Sequence, residues 1–89
     1  MENAKVVVDA TCGNGHDLLY LSKRAQKACH LYGIDIQMKA IKTSKELLQS
    51  NDIAPEVSLT FIHDSHDLAV AHQLKDEVID LIIFNLGYL

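Results

Sequence analysis

The stretch Val6-Val7-Val8-Asp9-Ala10-Thr11-Cys12-Gly13-Asn14-Gly15 constrains the fold of this chain more than any other. Its three consecutive β-branched residues read as a strand buried on both faces, the pattern of a parallel sheet. The strand ends in a carboxylate, Asp9, and passes into a loop with glycines at alternate positions, Gly13 and Gly15. Those glycines can take positive φ and let a ligand approach the backbone. A helical pattern starts at about His16, so the unpaired N–H groups of its first turn point at the same place. Strand, glycine turn and helix N-terminus together make a nucleotide-type site.

The rest of the chain repeats this alternation. Leu18, Leu21, Ala25 and Ala28, widened by Leu19, form an apolar stripe at helical spacing, with Asn14 as the expected N-cap and Asp17 suiting the first-turn dipole. Tyr20 and Tyr32 read as packing residues. Residues 31–35 form a second short strand that ends in Asp35. Ala40, Ile41, Leu47 and Leu48 recur with a 3.6-residue period, which predicts an amphipathic helix over 37–49, stopped by Ser50-Asn51-Asp52 and Pro55. Residues 57–62 alternate as a third strand and lead into His63-Asp64-Ser65-His66-Asp67. Leu68, Val70, Ala71 and Leu74 suggest a short helix, and 78–84 is a nearly all-apolar fourth strand running into Asn85-Leu86-Gly87-Tyr88. Asp80, at the opening of that strand, lies at the wrong end of the sheet for a ligand and reads as structural.

Strands alternating with helices imply right-handed crossovers and a parallel α/β sheet. The expected fold is a Rossmann-like, doubly wound, three-layer domain with strand order 3-2-1-4. Ligands of such sheets bind beyond the carboxyl ends of the strands, near the switch point between strands 1 and 4. All four strand ends here carry polar or glycine-rich sequence, a stronger signal than any one of them.

Length and charge set limits. A chain of 89 residues is one domain at most and buries only about 60–65% of its unfolded surface. A hydrophobic share of 48% is too high for disorder. No apolar run reaches the roughly 20 residues of a membrane span, and residues 1–5 do not open a signal peptide, so a cytoplasmic location is expected. A net charge of −4 and an isoelectric point near 5.6 exclude a global basic field for nucleic acid. The basic residues cluster locally, as Lys23, Arg24 and Lys27 and as Lys39, Lys42 and Lys45, on what read as solvated helix faces. Cys12 and Cys29 form no CxxC pair and are expected as free thiols. No Cys/His set has zinc spacing, so no metal is expected; His16, His30 and His72 read as surface or loop residues.

A dinucleotide site needs G-x-G-x-x-G and a carboxylate about 20 residues on. Gly13, Gly15 and Asp35 fit, but Leu18 takes the place of the third glycine. Asp9 adds a second carboxylate, which would repel a pyrophosphate and suit a cationic ligand that bears an amino acid. No Gly-Lys-Ser/Thr follows, which excludes a P-loop. S-adenosylmethionine, with its ammonium, sulfonium and ribose, fits this pattern better than NAD.

Four strings, Val8 to Asp17, Gly33 to Gln37, Asp64-Ser65-His66 and Phe84-Asn85-Leu86-Gly87-Tyr88-Leu89, together resemble the class I S-adenosylmethionine-dependent methyltransferases. More narrowly they resemble the rRNA-methylase group, which includes tRNA wobble-uridine methyltransferases acting on 5-aminomethyl-2-thiouridine. The resemblance implies methyl transfer to an amine nitrogen of tRNA or rRNA. It places the methionine part of the cofactor on Asp9, Gly13, Asn14, Gly15 and Asp17, the ribose on Asp35 with Gln37 nearby, and the adenine beside Asp64, Ser65 and His66. Asn85 sits where amino-methyltransferases hold the target amine, and Tyr88 is left between stacking on the base and ordinary loop packing. Leu86-Gly87 stands where that motif carries Pro-Pro. The resemblance also implies that residues 1–89 are the cofactor-binding half of a longer domain, lacking a leading helix, a glycine-containing loop and three further strands. Strand 4 is then an apolar edge able to pair with another chain, and a homodimer is one outcome. The rival expectations are an NAD-dependent oxidoreductase and a non-catalytic cofactor-binding module.

Overall fold

The computed structural model describes residues 5–25 and 28–84. Its elements are β1 (Val6–Asp9), α1 (His16–Arg24), β2 (Cys29–Asp35), α2 (Met38–Gln49), β3 (Val57–His63), α3 (His66–Leu68) and β4 (Leu81–Ile83), with a wider π-helical turn, Ala69–Gln73, continuing α3. The four strands form one parallel sheet in the order β3-β2-β1-β4, the expected Rossmann-like arrangement. Asp9 pairs with Gly33 of β2 and Ile83 of β4, while Asp35 pairs with His63 of β3. The β2 carboxylate therefore lies two residues beyond the β1 carboxylate, on the same edge of the sheet.

Successive side chains of a strand point to opposite faces, and both faces are covered. On one, Val7, Leu31 and Val57 pack with Leu18 and Leu21 of α1 and Ile41 and Leu48 of α2. On the other, Val8, Tyr32, Ile34 and Ile62 pack with Ala69 and Leu74. Leu18, at the position of the missing glycine, is fully buried because Gly33 makes room for it. A Cβ on Gly33 would lie 2.6 Å from Leu18 Cδ1 and 3.1 Å from Phe61 Cδ1. Close helix–strand packing is kept here with the glycine on the strand and the large residue on the helix.

Several expectations need correction. The N-cap of α1 is Gly15, at φ 88°; Asn14 sits one residue earlier and accepts the His16 N–H through Oδ1 at 3.2 Å. The helix ends at Arg24, where Ala25 turns extended, so Ala28 is exposed rather than part of the stripe. Tyr20 is 58% exposed, with the Arg24 guanidinium 4.9 Å from its ring centroid. His30 is not a loop residue: it stacks on Tyr32 within β2, 4.1 Å between centroids, and its Nε2 pairs with Thr60 Oγ1. The fourth strand is shorter than 78–84 and Val78 is 82% exposed. Asp80 stands before the strand because its carboxylate accepts the N–H groups of Lys5 and Val6, which fastens the start of β1.

Candidate functional site

Between β1 and α1 the chain crosses the carboxyl edge of the sheet as residues 10–15. The Ala10 N–H donates to Ile83 O of β4 and the Cys12 N–H to Ile34 O of β2, each at 2.8 Å, so the loop straddles the switch point. Gly13 and Gly15 are the described residues with positive φ, at 54° and 88°. A side chain at Gly15 would meet the backbone of Ser44 at 2.9 Å, whereas a Cβ at Gly13 would meet nothing within 4 Å. Gly15 is packed against α2; Gly13 faces open space.

The Gly13 peptide is held from both sides. Its N–H donates to Asp35 Oδ2 at 3.0 Å, and its carbonyl accepts the Ser44 hydroxyl at 2.9 Å. Asp35 Oδ1 accepts the Gln37 N–H at 3.0 Å, which starts α2. A carboxylate offers about four lone-pair directions, so Asp35 keeps acceptor capacity toward the cleft. Ser44 is fully buried, and its role went unread in the sequence. The signal was present: Ser44 lies in the middle of the stripe of Ala40, Ile41, Leu47 and Leu48, a polar residue on an apolar face.

Asp9 is fully buried at the end of β1. Its Oδ1 accepts the Thr11 N–H at 3.2 Å, while Oδ2 has no partner among the described residues. Burial, with smaller repulsion from Asp17 and Asp35, raises its pKa to about 7. Cys12, beside it, is no nucleophile at neutral pH: burial pushes its thiol up to about 11. Asp17 lies half-buried in the first turn of α1.

Two clefts flank residues 35–37. One, of about 240 Å³, is lined by Ala10, Thr11, Asp35, Ile36, Ser65 and His66. The other, of about 300 Å³, is lined by Gly13, Asn14, Gln37, Lys39, Ala40 and Thr43. Ile36, 68% exposed, gives the first cleft an apolar wall that the sequence reading did not single out. The loop after β3 is tied to this edge: the Asp64 N–H donates to Asp35 O, and the Ser65 N–H to Asp64 Oδ1. His66 meets Phe84 edge-on, 5.3 Å between centroids, which joins that loop to the end of β4. The structure thus brings Asp9, Gly13, Asn14, Gly15, Asp17, Asp35, Gln37, Asp64, Ser65 and His66 to one edge; Asn85 and Tyr88 lie outside the described residues. Among the described residues there is no His/Cys/Asp/Glu group suited to a metal, and no helix is long and apolar enough to cross a membrane.

Comparison with known proteins gives a consistent picture. A family model described as a methyltransferase domain matches residues 1–87. The chain is 29% identical over 100 residues to a chloroplastic tRNA (mnm(5)s(2)U34)-methyltransferase of Arabidopsis thaliana, covering 100% of this chain and 35% of that protein. It is 25% identical over 88 residues to a tRNA1(Val) (adenine(37)-N6)-methyltransferase of Haemophilus influenzae, covering 99% of this chain and 36% of that protein. A crystal structure from Clostridium thermocellum, provisionally assigned as an rRNA methylase, superposes with a TM-score of 0.72 at 34% identity, covering 96% of this chain and 44% of that one. The chain therefore spans between a third and a half of the length of these proteins.

Proposed function

Because this chain belongs to the methyltransferase-domain family, we propose that it is the cofactor-binding part of an S-adenosylmethionine-dependent N-methyltransferase acting on RNA. The observation that carries the reading is the buried Asp9 Oδ2, left without a partner among the described residues at the start of the loop whose Gly13 faces open space. A buried acceptor left unsatisfied costs about 1–3 kcal/mol, and a donor-bearing, cationic ligand would recover it. The residues fit the cofactor. Gly13, Asn14, Gly15 and Asp17 would surround its amino-acid part, Asp35 with Gln37 would take the ribose hydroxyls, and Asp64, Ser65 and His66, with Ile36, would flank the adenine. The same set fits NAD less well, because two carboxylates beside the loop oppose a pyrophosphate.

When bound, the cofactor supplies an already activated methyl group on sulfur. What the chain must add is orientation and exclusion of water. Asn85 would hold the N–H groups of a neutral target amine through its carbonyl oxygen, and Tyr88 would stack on the base. We propose as target the 5-aminomethyl group of the wobble 2-thiouridine of tRNA, supported by the name of the Arabidopsis relative and the Asn-Leu-Gly-Tyr-Leu string. Cys12 and Cys29, both free and buried, suit a reducing compartment such as the cytoplasm.

The test is calorimetric titration of the complete protein with S-adenosylhomocysteine and with NAD, followed by methyl transfer to tRNA carrying the 5-aminomethyl group. Binding of S-adenosylhomocysteine alone, with transfer, supports the reading. Binding of NAD points to the oxidoreductase, and cofactor binding without transfer to a non-catalytic module. In the complete protein, Asn85→Ala is expected to leave S-adenosylhomocysteine affinity near normal and to lower turnover strongly; full activity would remove Asn85 from the target-amine role.

A further inference from the structure

A further cavity lies away from the carboxyl edge. It holds about 470 Å³ between the C-terminal half of α2 and β3, with Leu48, Ile53, Leu59 and Phe61 as its floor and Lys45 and Gln49 on its rim. Lys45 Nζ stands 6.0 Å from the Phe61 ring centroid. From this cavity a line of exposed lysines, Lys45, Lys42 and Lys39, runs back along α2. Each three-residue step advances about 4.5 Å and turns back about 60°, so the line winds around the helix. It ends at Lys39, which lines the cleft at Gly13.

We infer that this row and cavity form a second docking surface for the RNA, with phosphates on the lysines and an unstacked base in the cavity. The inference rests on the reading of the protein as an RNA methyltransferase. A solvated helix face normally interleaves opposite charges. On α2 the three lysines meet one carboxylate, Glu46, and form no ion pair with a described residue. Asp52 stands at the cavity rim, and Asp35 lies beyond the Lys39 end of the row. The chain as a whole carries −4, so a polyanion is attracted at a local positive row such as this one rather than by the chain's overall field. An aromatic and aliphatic floor beside a cation takes any base by stacking, which is how unpaired RNA is held without sequence readout. The cavity falls within the range of sites that accept a nucleoside-sized ligand. The row begins at the rim of the cofactor cleft, so RNA presenting its target at the carboxyl edge would continue along α2.

The experiment uses the complete protein and tRNA carrying 5-aminomethyl-2-thiouridine, with the double variant Lys42→Gln, Lys45→Gln and, separately, Gln49→Trp, which fills the cavity without changing charge. Both lysines lie outside the cofactor clefts. Expected for the double variant are a roughly tenfold weaker tRNA affinity and a fall of about 1.4 in the slope of log affinity against log salt, two phosphate contacts at about 0.7 each for a single strand. S-adenosylhomocysteine affinity should stay at the wild-type value. Gln49→Trp should weaken tRNA binding with the salt slope unchanged. Wild-type tRNA affinity and slope in these variants, in a protein that methylates the tRNA, would overturn the inference and leave the proposed function standing. Slow thiol labelling of a Gln49→Cys variant in the RNA-free complete protein would show another protein segment seated on the cavity, and would overturn it too. A wild-type protein that methylates no RNA would remove both.

Discussion

Asp9 is an acid kept where water does not reach it, and that has a thermodynamic sign. The folded chain holds its proton up to about pH 7, whereas an unfolded aspartate releases it near 3.8. Between those values the folded state binds more protons, so stability falls as pH rises from about 4 to about 7 and is level above. The full effect is on the order of 4 kcal/mol at 1.36 kcal/mol per unit. Urea denaturation at pH 5 and pH 7.5 should show the part of this loss that falls above pH 5, about 3 kcal/mol, in the wild type, and Asp9→Asn should flatten it; an equal slope in the variant would mean that Asp9 is ionised. Asp35→Ala should weaken S-adenosylhomocysteine binding by about 1–3 kcal/mol, since it also frees the N–H groups of Gly13 and Gln37. Unchanged affinity by calorimetry would remove Asp35 from the ribose role. Ser44→Ala should weaken the same ligand by about 1 kcal/mol while the far-ultraviolet spectrum stays native. Of these three residues, Asp9 and Asp35 were legible as strand-end carboxylates. Ser44 stood out only as a polar residue on an apolar face, and its role was not legible because its partner Gly13 lies 31 positions away.

At the scale of elements, spacing located every strand and helix of the described region and missed mainly their ends. Residues 78–80 look like strand because Val78 and Ile79 are apolar. They are not strand, because Asp80 spends its carboxylate on the N–H groups that open β1. The stripe continuing to Ala28 is equally misleading, since Ala25 already has ψ 122°. The π-helical turn after α3 carries no mark that a 3.6-residue period could reveal. The contact between α1 and β2 gives a direct test. Gly33→Ala puts a methyl 2.6 Å from Leu18 Cδ1, and overpacking of this kind costs about 1–3 kcal/mol. Thermal unfolding should show a clearly lower midpoint for that variant, and a smaller loss for Gly33→Ala combined with Leu18→Val. If Gly33→Ala alone melts like the wild type, the helix has room to retreat.

For the molecule as a whole, the layered architecture follows from alternation alone, and the two cysteines report on its integrity. Cys12 and Cys29 are each 4% exposed and belong to the same core layer. Burial raises both thiol pKa values. Alkylation at neutral pH should therefore be slow in the native state and rise with denaturant in step with the loss of circular dichroism; fast labelling of native protein would mean that this layer opens locally. The clamp on Gly13 has a consequence for how the molecule comes into being. Its two anchors arrive 22 and 31 residues after the loop itself, so the nascent glycine segment has no fixed shape until β2 and α2 have docked against it. No excised loop peptide should retain recognition, and ligand affinity should emerge late in refolding, after the sheet signal, as a reporter of long-range assembly.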